Sequence, residues 1–400
     1  MQNVNESSSD TRGSGMRNVL MLGLVSFFAD ISSQMVYPLI PLYLTSAFGA
    51  TPALVGIVEG IAESVASILK VFSGYVSDRF KHKKALAFAG YCTGLFYKLV
   101  LLSAGSWGGV LAARVIDRFG KGVRVAPRDA MVAESASKKK MGGAFGIHKM
   151  LDMAGSALGI LLAFFIMRSM GDLGYKTVFA ASIVPVAVAL SLFVFIRENR
   201  EAPAPAHREP FWRNIAQLDG QLKLYLAVTF LFTLGNSSNA FLLLRASQFG
   251  FDSSETVLLY FLYHVAASVL AVPCGRLSDA LGRKKLLVWG YAVFSLVYFG
   301  FALGGGRALG VFLFLIYGLF TAMTAGVERA FIAEMAPIHL RGTMLGLHST
   351  LAGVALLPAS VIAGQLWSAC GALAPFIWGG GLSIVSACVL AFYLKDQPLR

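Results

Sequence analysis

The chain has 400 residues, 56% of them hydrophobic and only 14% charged, with a mean hydropathy of +0.67. A soluble globular domain places about a quarter of its residues in Asp, Glu, Lys and Arg, so an ordinary soluble protein is excluded and the solvent for most of this chain is lipid. At roughly 30 residues per crossing and connection, the length holds about twelve to thirteen helical spans.

A polar leader, Met1 to Arg17, precedes an apolar segment that is too long for a signal peptide and lacks a small-residue cleavage site. Hydropathy, broken by Gly, Pro and charge clusters, predicts spans at 18–47, 52–76, 84–105, 107–134, 142–168 and 174–196. Pro38 and Pro41 predict a kink in the first of them. Residues 197–221 are polar and read as a linker, with Glu198, Arg200, Glu201, Pro203, Pro205 and Arg208. Six further spans follow at 222–248, 254–275, 284–304, 307–335, 341–365 and 371–394, leaving a short tail at 395–400. Cys92, Cys274, Cys370 and Cys388 lie in or beside apolar segments without CxxC or metal-ligand spacing, so they read as packing residues.

The net charge of +13 follows this topology. One set of alternate loops carries Arg79, Lys81, Lys83 and Lys84, then Lys138 to Lys140, the linker, Arg283 to Lys285, and Arg341. The loops near Gly49, Ser106 and Gly371 carry no Lys or Arg, and those near Gly171 and Gly305 only Arg168, Lys176 and Arg307. The positive-inside rule then expects both termini and the linker in the cytoplasm, in an inner-membrane protein with no nucleic-acid partner.

The two sixes repeat. Gly74-Tyr-Val-Ser-Asp78-Arg79-Phe-Lys-His-Lys83-Lys84 recurs as Gly275-Arg-Leu-Ser-Asp279-Ala-Leu-Gly-Arg283-Lys284-Lys285, displaced by about 201 positions. Ala133-Glu134, Gly142 and Gly146-Ile-His148 recur as Ala333-Glu334, Gly342 and Gly346-Leu-His348, displaced by 200. Parallel repeats of this kind build alternating-access carriers.

The repeated Gly-x-x-x-Asp loop with its following basic residues resembles the signature loop of the major facilitator superfamily. Arg118-Phe-Gly-Lys121-Gly122 in the fourth span is similar to that family's Arg-x-x-Gln-Gly motif, with Lys121 in place of Gln. Gly155-Ser-Ala-Leu-Gly159 in the fifth resembles the antiporter motif, with Ile160 where the family has Pro. The resemblance covers the whole chain. It implies an all-α polytopic membrane protein: twelve helices in two pseudo-symmetric six-helix bundles, 18–196 and 222–394, working by alternating access without a cofactor. Export of a drug or metabolite is its commonest assignment.

The repeated loop reads as a latch. Gly74 and Gly275 would let helix ends approach, Asp78 and Asp279 would cap or pair across the interface between halves, and Arg79 and Arg283 would hold helix C-termini or lipid phosphates. Arg128, Asp129 and Glu134, with Glu328, Arg329 and Glu334 at matching places in the tenth span, would extend the same gating network.

Deeper in the membrane, Arg114, Arg118, Lys121, Arg124 and Arg128 follow spacings of 4, 3, 3 and 4, which puts five cations on one helical face. Each costs about 2.5–3.5 kcal/mol near the bilayer centre, so the stripe cannot face lipid. It must line an aqueous cavity or meet acids, and Asp30, Glu59, Glu63, Asp117 and Asp152 are available. Glu59 and Glu63 share a helical face, and neighbouring carboxylates repel when both are charged, so such a pair readily holds a proton. A static salt-bridge lattice and a coupling or anion-binding site both remain open for the stripe. In the repeat, Tyr260 and His264 stand opposite Glu59 and Glu63, and Gly318, Thr321 and Thr324 opposite Arg118, Lys121 and Arg124. The second half therefore reads as a neutral, aromatic wall that includes Asn236 and Asn239.

Together these features predict a secondary transporter, coupled to protons or, alternatively, sodium, acting as a monomer among membrane lipids on a small organic solute. Proton coupling is expected at Asp30, Glu59, Glu63 and Asp117. Substrate is expected at Gln34, Arg114, Arg118, Lys121, Asn236, Asn239, Tyr260 and His264. The alternatives are a uniporter or importer of an anionic metabolite or siderophore, and a non-transporting receptor or scaffold of the same fold. Gly-x-Ser-x-Gly, His-Glu-x-x-His and a complete phosphate loop are all missing from the sequence, which argues against an enzyme.

Overall fold

A computed structural model describes residues 4–79, 83–135, 141–198, 219–335 and 341–394. Lys81, Lys138 to Lys140, most of the linker and the 395–400 tail lie outside the described residues. So do the side chains of residues 70–79, 141–146 and 341–343, which include Asp78, Arg79 and Arg341, and with them the local surroundings of Gly74, Gly142 and Gly146.

All regular structure among the described residues is helical. The helices are α1 (Val4–Val36), α2 (Ile40–Phe48), α3 (Pro52–Arg79), α4 (Lys83–Ser103), α5 (Trp107–Ser135), α6 (Met141–Met170), α7 (Gly174–Ala181) and α8 (Ile183–Leu192). They continue as α9 (Gly220–Gly235), α10 (Ala240–Gln248), α11 (Ser253–Leu281), α12 (Arg283–Leu303), α13 (Arg307–Thr324), α14 (Val327–Met335), α15 (Arg341–Cys370) and α16 (Ala374–Tyr393). Eleven described helical segments are long and apolar enough to cross a membrane. The fourth predicted span, α5, is long enough but too charged, because of the basic stripe.

The repeat is visible in the helix boundaries. α4, α5, α6 and α7 begin at Lys83, Trp107, Met141 and Gly174, and their counterparts begin 200 positions later at Arg283, Arg307, Arg341 and Ala374. Differences between the copies are local breaks. The first span is interrupted by a 3-10 turn at Tyr37–Leu39, as the prolines predict, since Pro38 and Pro41 remove two intrahelical donors. The seventh span, expected to be continuous over 222–248, is broken at residues 236–239. There is no proline there. Asn and Ser side chains compete with the helix for backbone partners, and Ser238 Oγ accepts from the Ala240 N–H at 3.2 Å. The sixth span breaks at Ser182 and the tenth after Thr324.

The chain divides into two compact units, Met1–Leu39 with Ile68–His207, and Ile40–Ser67 with Arg208–Arg400. In the first, α1 packs on α6 and α8, and α4 on α5. A side chain at Gly155 or Gly159 would collide with the carbonyls of Phe27 and Ile31, so these glycines let α6 press against α1. Its core joins Leu22, Val25, Tyr91, Met131, Val132 and Phe193. In the second unit, α9, α11, α12, α13 and α16 enclose stacked aromatics, among them Phe232 on Tyr291 at 4.0 Å and Phe294 on Tyr298 at 3.9 Å. Here α2 packs on α10, and Gly56 lies against the Ser360 carbonyl of α15.

Candidate functional site

The basic stripe of α5 is buried. Arg114, Arg118 and Arg124 are at most 5% exposed, and Lys121 is half-buried. Asp117, on the same helix, lies 3.6 Å from Arg114 and 3.8 Å from Arg118, so it answers two of the cations directly. Tyr37, in the break of the first span, sits between the same two guanidiniums, 5.1 and 5.2 Å from its ring centroid. Arg124 stands 4.8 Å from the Tyr91 ring centroid. The stripe is thus interleaved with tyrosines, whose negative ring faces stabilise cations without cancelling their charge.

Sequence reasoning missed Lys98. It is completely buried on α4, donates to the Gly94 carbonyl at 2.9 Å, and has its ammonium 4.4 Å from the Tyr97 ring centroid. Close crossing of α4 and α5 brings it near the stripe: a side chain at Gly90 would stand 2.7 Å from Arg124 Cβ, and one at Gly120 would stand 2.7 Å from the Gly90 carbonyl. A lone Lys in an apolar span carries no periodic signal. Its cost in lipid is the signal that could have found it.

Asp30 and Gln34 are half-buried on α1. Among the described residues, Gln34 Oε1 is shielded from solvent without a hydrogen-bond donor. Asp30 lies in the electrostatic field of Asp152, Lys121, Arg124 and Arg128. Arg128 pairs with Asp129 at 2.9 Å and donates to Ser26 Oγ at 3.4 Å, which ties the end of α5 to α1.

In the second unit, Glu59 is 1% exposed and accepts from Ser238 Oγ at 3.4 Å, at the break of the seventh span. Glu63 is half-buried one turn further along α3. Asn239 Oδ1 accepts from the Tyr317 hydroxyl at 3.0 Å, and Asn236 is half-buried at the start of the break. His264 Nδ1 is 3.0 Å from the Tyr260 carbonyl, and its ring packs against Tyr260 and Tyr263. The tyrosines, Asn236 and Asn239 are neutral, but the same unit also holds the carboxylates of Glu59 and Glu63.

The gating residues that are described form clasps within each half. Lys83 pairs with Glu134, and 200 positions later Arg283 pairs with Glu334 at 3.0 Å. Lys84 Nζ donates to the Ile196 carbonyl at 2.6 Å and Lys284 Nζ to the Leu394 carbonyl at 2.5 Å, so a lysine caps the C-terminal end of the sixth and twelfth spans. Asp279, expected to pair between halves, has its ion pair with Arg283 at 3.5 Å and is largely exposed. Nothing described lies within 4 Å of where a side chain at Gly275 would start, so close packing does not require glycine there. Glu328 accepts from the Tyr291 hydroxyl at 3.2 Å, and Arg329 is exposed.

Residues 22–232 and 225–400 match the family profile described as Major Facilitator Superfamily. An MFS-type transporter of Methanocaldococcus jannaschii, uncharacterized by name, is 34% identical over 398 residues, covering 98% of each chain. The fosmidomycin resistance protein of Escherichia coli is 26% identical over 287 residues, 69% of this chain and 70% of that one. A crystal structure of the nucleoside transporter NupG shares the fold, with a TM-score of 0.82 at 13% identity, covering 94% of this chain and all of that chain.

Proposed function

Because the chain belongs to the major facilitator superfamily of transporters, we propose that it is a proton-driven exporter of a small organic anion. The observation that carries this reading is the buried run of Lys98, Arg114, Arg118 and Arg124. Tyrosine faces and one intervening Asp117 hold these cations in two adjacent spans that must otherwise cross lipid. Such a row, with arginine forks for planar or tetrahedral anions, suits a carboxylate, phosphate or phosphonate. The relative named for fosmidomycin resistance supports export and a phosphonate-sized cargo. Acids within the same field support coupling: a proton on a carboxylate frees its cation for the substrate, and deprotonation lets the ion pair displace it. Asp30 and Asp117 in the first unit, and Glu59 and Glu63 on α3, are the candidate coupling groups. The excess of Lys and Arg at the linker side supports cytoplasmic termini.

Purified protein in proteoliposomes tests the reading with fosmidomycin as the probe. We expect accumulation that depends on an imposed pH gradient and collapses with a protonophore. Accumulation that persists unchanged without any proton or sodium gradient would identify a facilitator. Accumulation that follows a sodium gradient instead would replace the coupling ion.

A further inference from the structure

We propose that His148 and Asp152 of α6, with Asp30 of α1, form the proton-binding site of the first half. This rests on the proton-driven reading above and assigns its coupling ion to a place. His148 is 4% exposed, with Nδ1 3.9 Å from Asp152 Oδ1 and Nε2 3.0 Å from Ser26 Oγ. Ser26 Oγ also meets the Tyr91 hydroxyl at 3.1 Å and Arg128 at 3.4 Å.

Hydrogen bookkeeping leaves two arrangements at Ser26. Arg128 can only donate, and a hydroxyl has one proton and two acceptor positions. Ser26 is satisfied when it accepts from Arg128 and either donates to Tyr91 while accepting from His148 Nε2, or accepts from Tyr91 while donating to Nε2. In the second arrangement the ring proton stands on Nδ1, facing Asp152, and that is the tautomer the proposed site uses. Asp152 Oδ1 is shielded from solvent and has no hydrogen-bond partner among the described residues. A separation of 3.9 Å is closed by one bridging water or a small side-chain rotation.

Across from Asp152, the glycine-mediated contact of α6 with α1 brings Asp30 into its electrostatic field. The other charged or titratable groups facing the site are Tyr91 of α4, Lys121, Arg124, Arg128 and Asp129 of α5, and Lys149 of α6. Two carboxylates held together out of water favour sharing one proton. The step balances simply. A proton carried in as hydronium enters at Nε2 as the Ser26 hydroxyl turns away, leaving water, and Nδ1 gives its proton to Asp152; the ring is neutral again, and the carboxyl pair has passed from two negative charges to one. Lys121 and Arg124 lie in the fields of both the carboxyl pair and the anion row, so an anion that draws on them raises the pair's affinity for the proton.

The second half supplies an internal control. His348 is retained and buried, but it stacks on Tyr225, at 6.1 Å and 9°, where His148 meets Ser26. Four residues beyond Tyr225 stands Thr229 in place of Asp30, and four beyond His348 stands Ala352 in place of Asp152. The scaffold thus accommodates the histidine without either acid, so the acids of the first half are not demanded by packing.

The test is carbodiimide labelling of the purified protein, located by mass spectrometry, because the reagent attacks protonated carboxyls in apolar surroundings. We expect label on Asp30 or Asp152 that falls about tenfold per pH unit above its midpoint. The midpoint should shift in His148→Gln and stay unchanged in His348→Gln, and Asp152→Asn should abolish label on Asp30. Absence of label from both aspartates, or a profile identical in His148→Gln, would overturn the site. The readout needs no substrate. Transport failure with intact pH-dependent labelling would count against the anion reading alone, and coupled transport with no such labelling would count against this site alone.

Discussion

The fourth span and its repeat occupy the same place in the two halves and carry opposite chemistry. On α5 the positions read Arg114, Asp117, Arg118, Lys121 and Arg124; 200 residues on they read Phe314, Tyr317, Gly318, Thr321 and Thr324. In the second copy, Gly318 packs against α11, where a side chain would stand 2.6 Å from Ala266 Cβ, and Tyr317 joins an aromatic cluster with Tyr263 and Phe320. That copy is stabilised by apolar contact and then breaks after Thr324. The first copy stays helical through Ser135 despite its charges. Three buried cations at about 2.5–3.5 kcal/mol each have no place in a scaffold that needed only packing. Their presence in one copy alone is what supports the proposal of ion chemistry in the first half.

The contrast can be broken most severely at Arg118. Arg118→Ala is expected to weaken fosmidomycin binding by about 2–5 kcal/mol, thirtyfold or more, as expected when one partner of a desolvated charge pair is removed; equilibrium binding to purified protein measures it. Lys98→Met comes next. It should raise the transport KM about tenfold while leaving the melting temperature unlowered, because an apolar replacement relieves a buried charge. A fall in melting temperature with unchanged KM would make Lys98 a structural residue.

The clasps give a smaller, symmetric effect. Lys83→Ala with Glu134→Ala, and Arg283→Ala with Glu334→Ala, should each show a coupling energy of about 0.5–1 kcal/mol in double-mutant cycles on unfolding. Unequal couplings would show that the two halves are latched differently. Anion affinity should change least of all in Tyr317→Phe, which removes one hydrogen bond to Asn239 and should cost only about 0.5–1.5 kcal/mol of stability.

Most of the fold was legible because lipid imposes it. Span lengths, the loops and the 200-residue repeat follow from hydropathy and charge, and Pro38 announced the break at Tyr37–Leu39. The break at residues 236–239 was not legible, since Asn and Ser are tolerated within helices and only tertiary contacts with Glu59 and Ser360 distinguish the outcomes. At the site, five cations at helical spacing declared themselves. Lys98 did not, because a single charge has no period, and neither did Tyr37 and Tyr91, whose place against the guanidiniums depends on how α1 and α4 meet α5. His148 stood in the repeated motif, but its partner Ser26 lies 122 residues away.

The central claim is that the anion is held by the charged first half. Equilibrium binding of fosmidomycin to the purified protein tests it most directly, comparing Arg118→Gln with Asn239→Ala. The account predicts that Arg118→Gln weakens binding by about thirtyfold or more while Asn239→Ala changes affinity by less than about tenfold, the effect of about one hydrogen bond. Full affinity in Arg118→Gln together with loss in Asn239→Ala would contradict it and move recognition to the neutral second half.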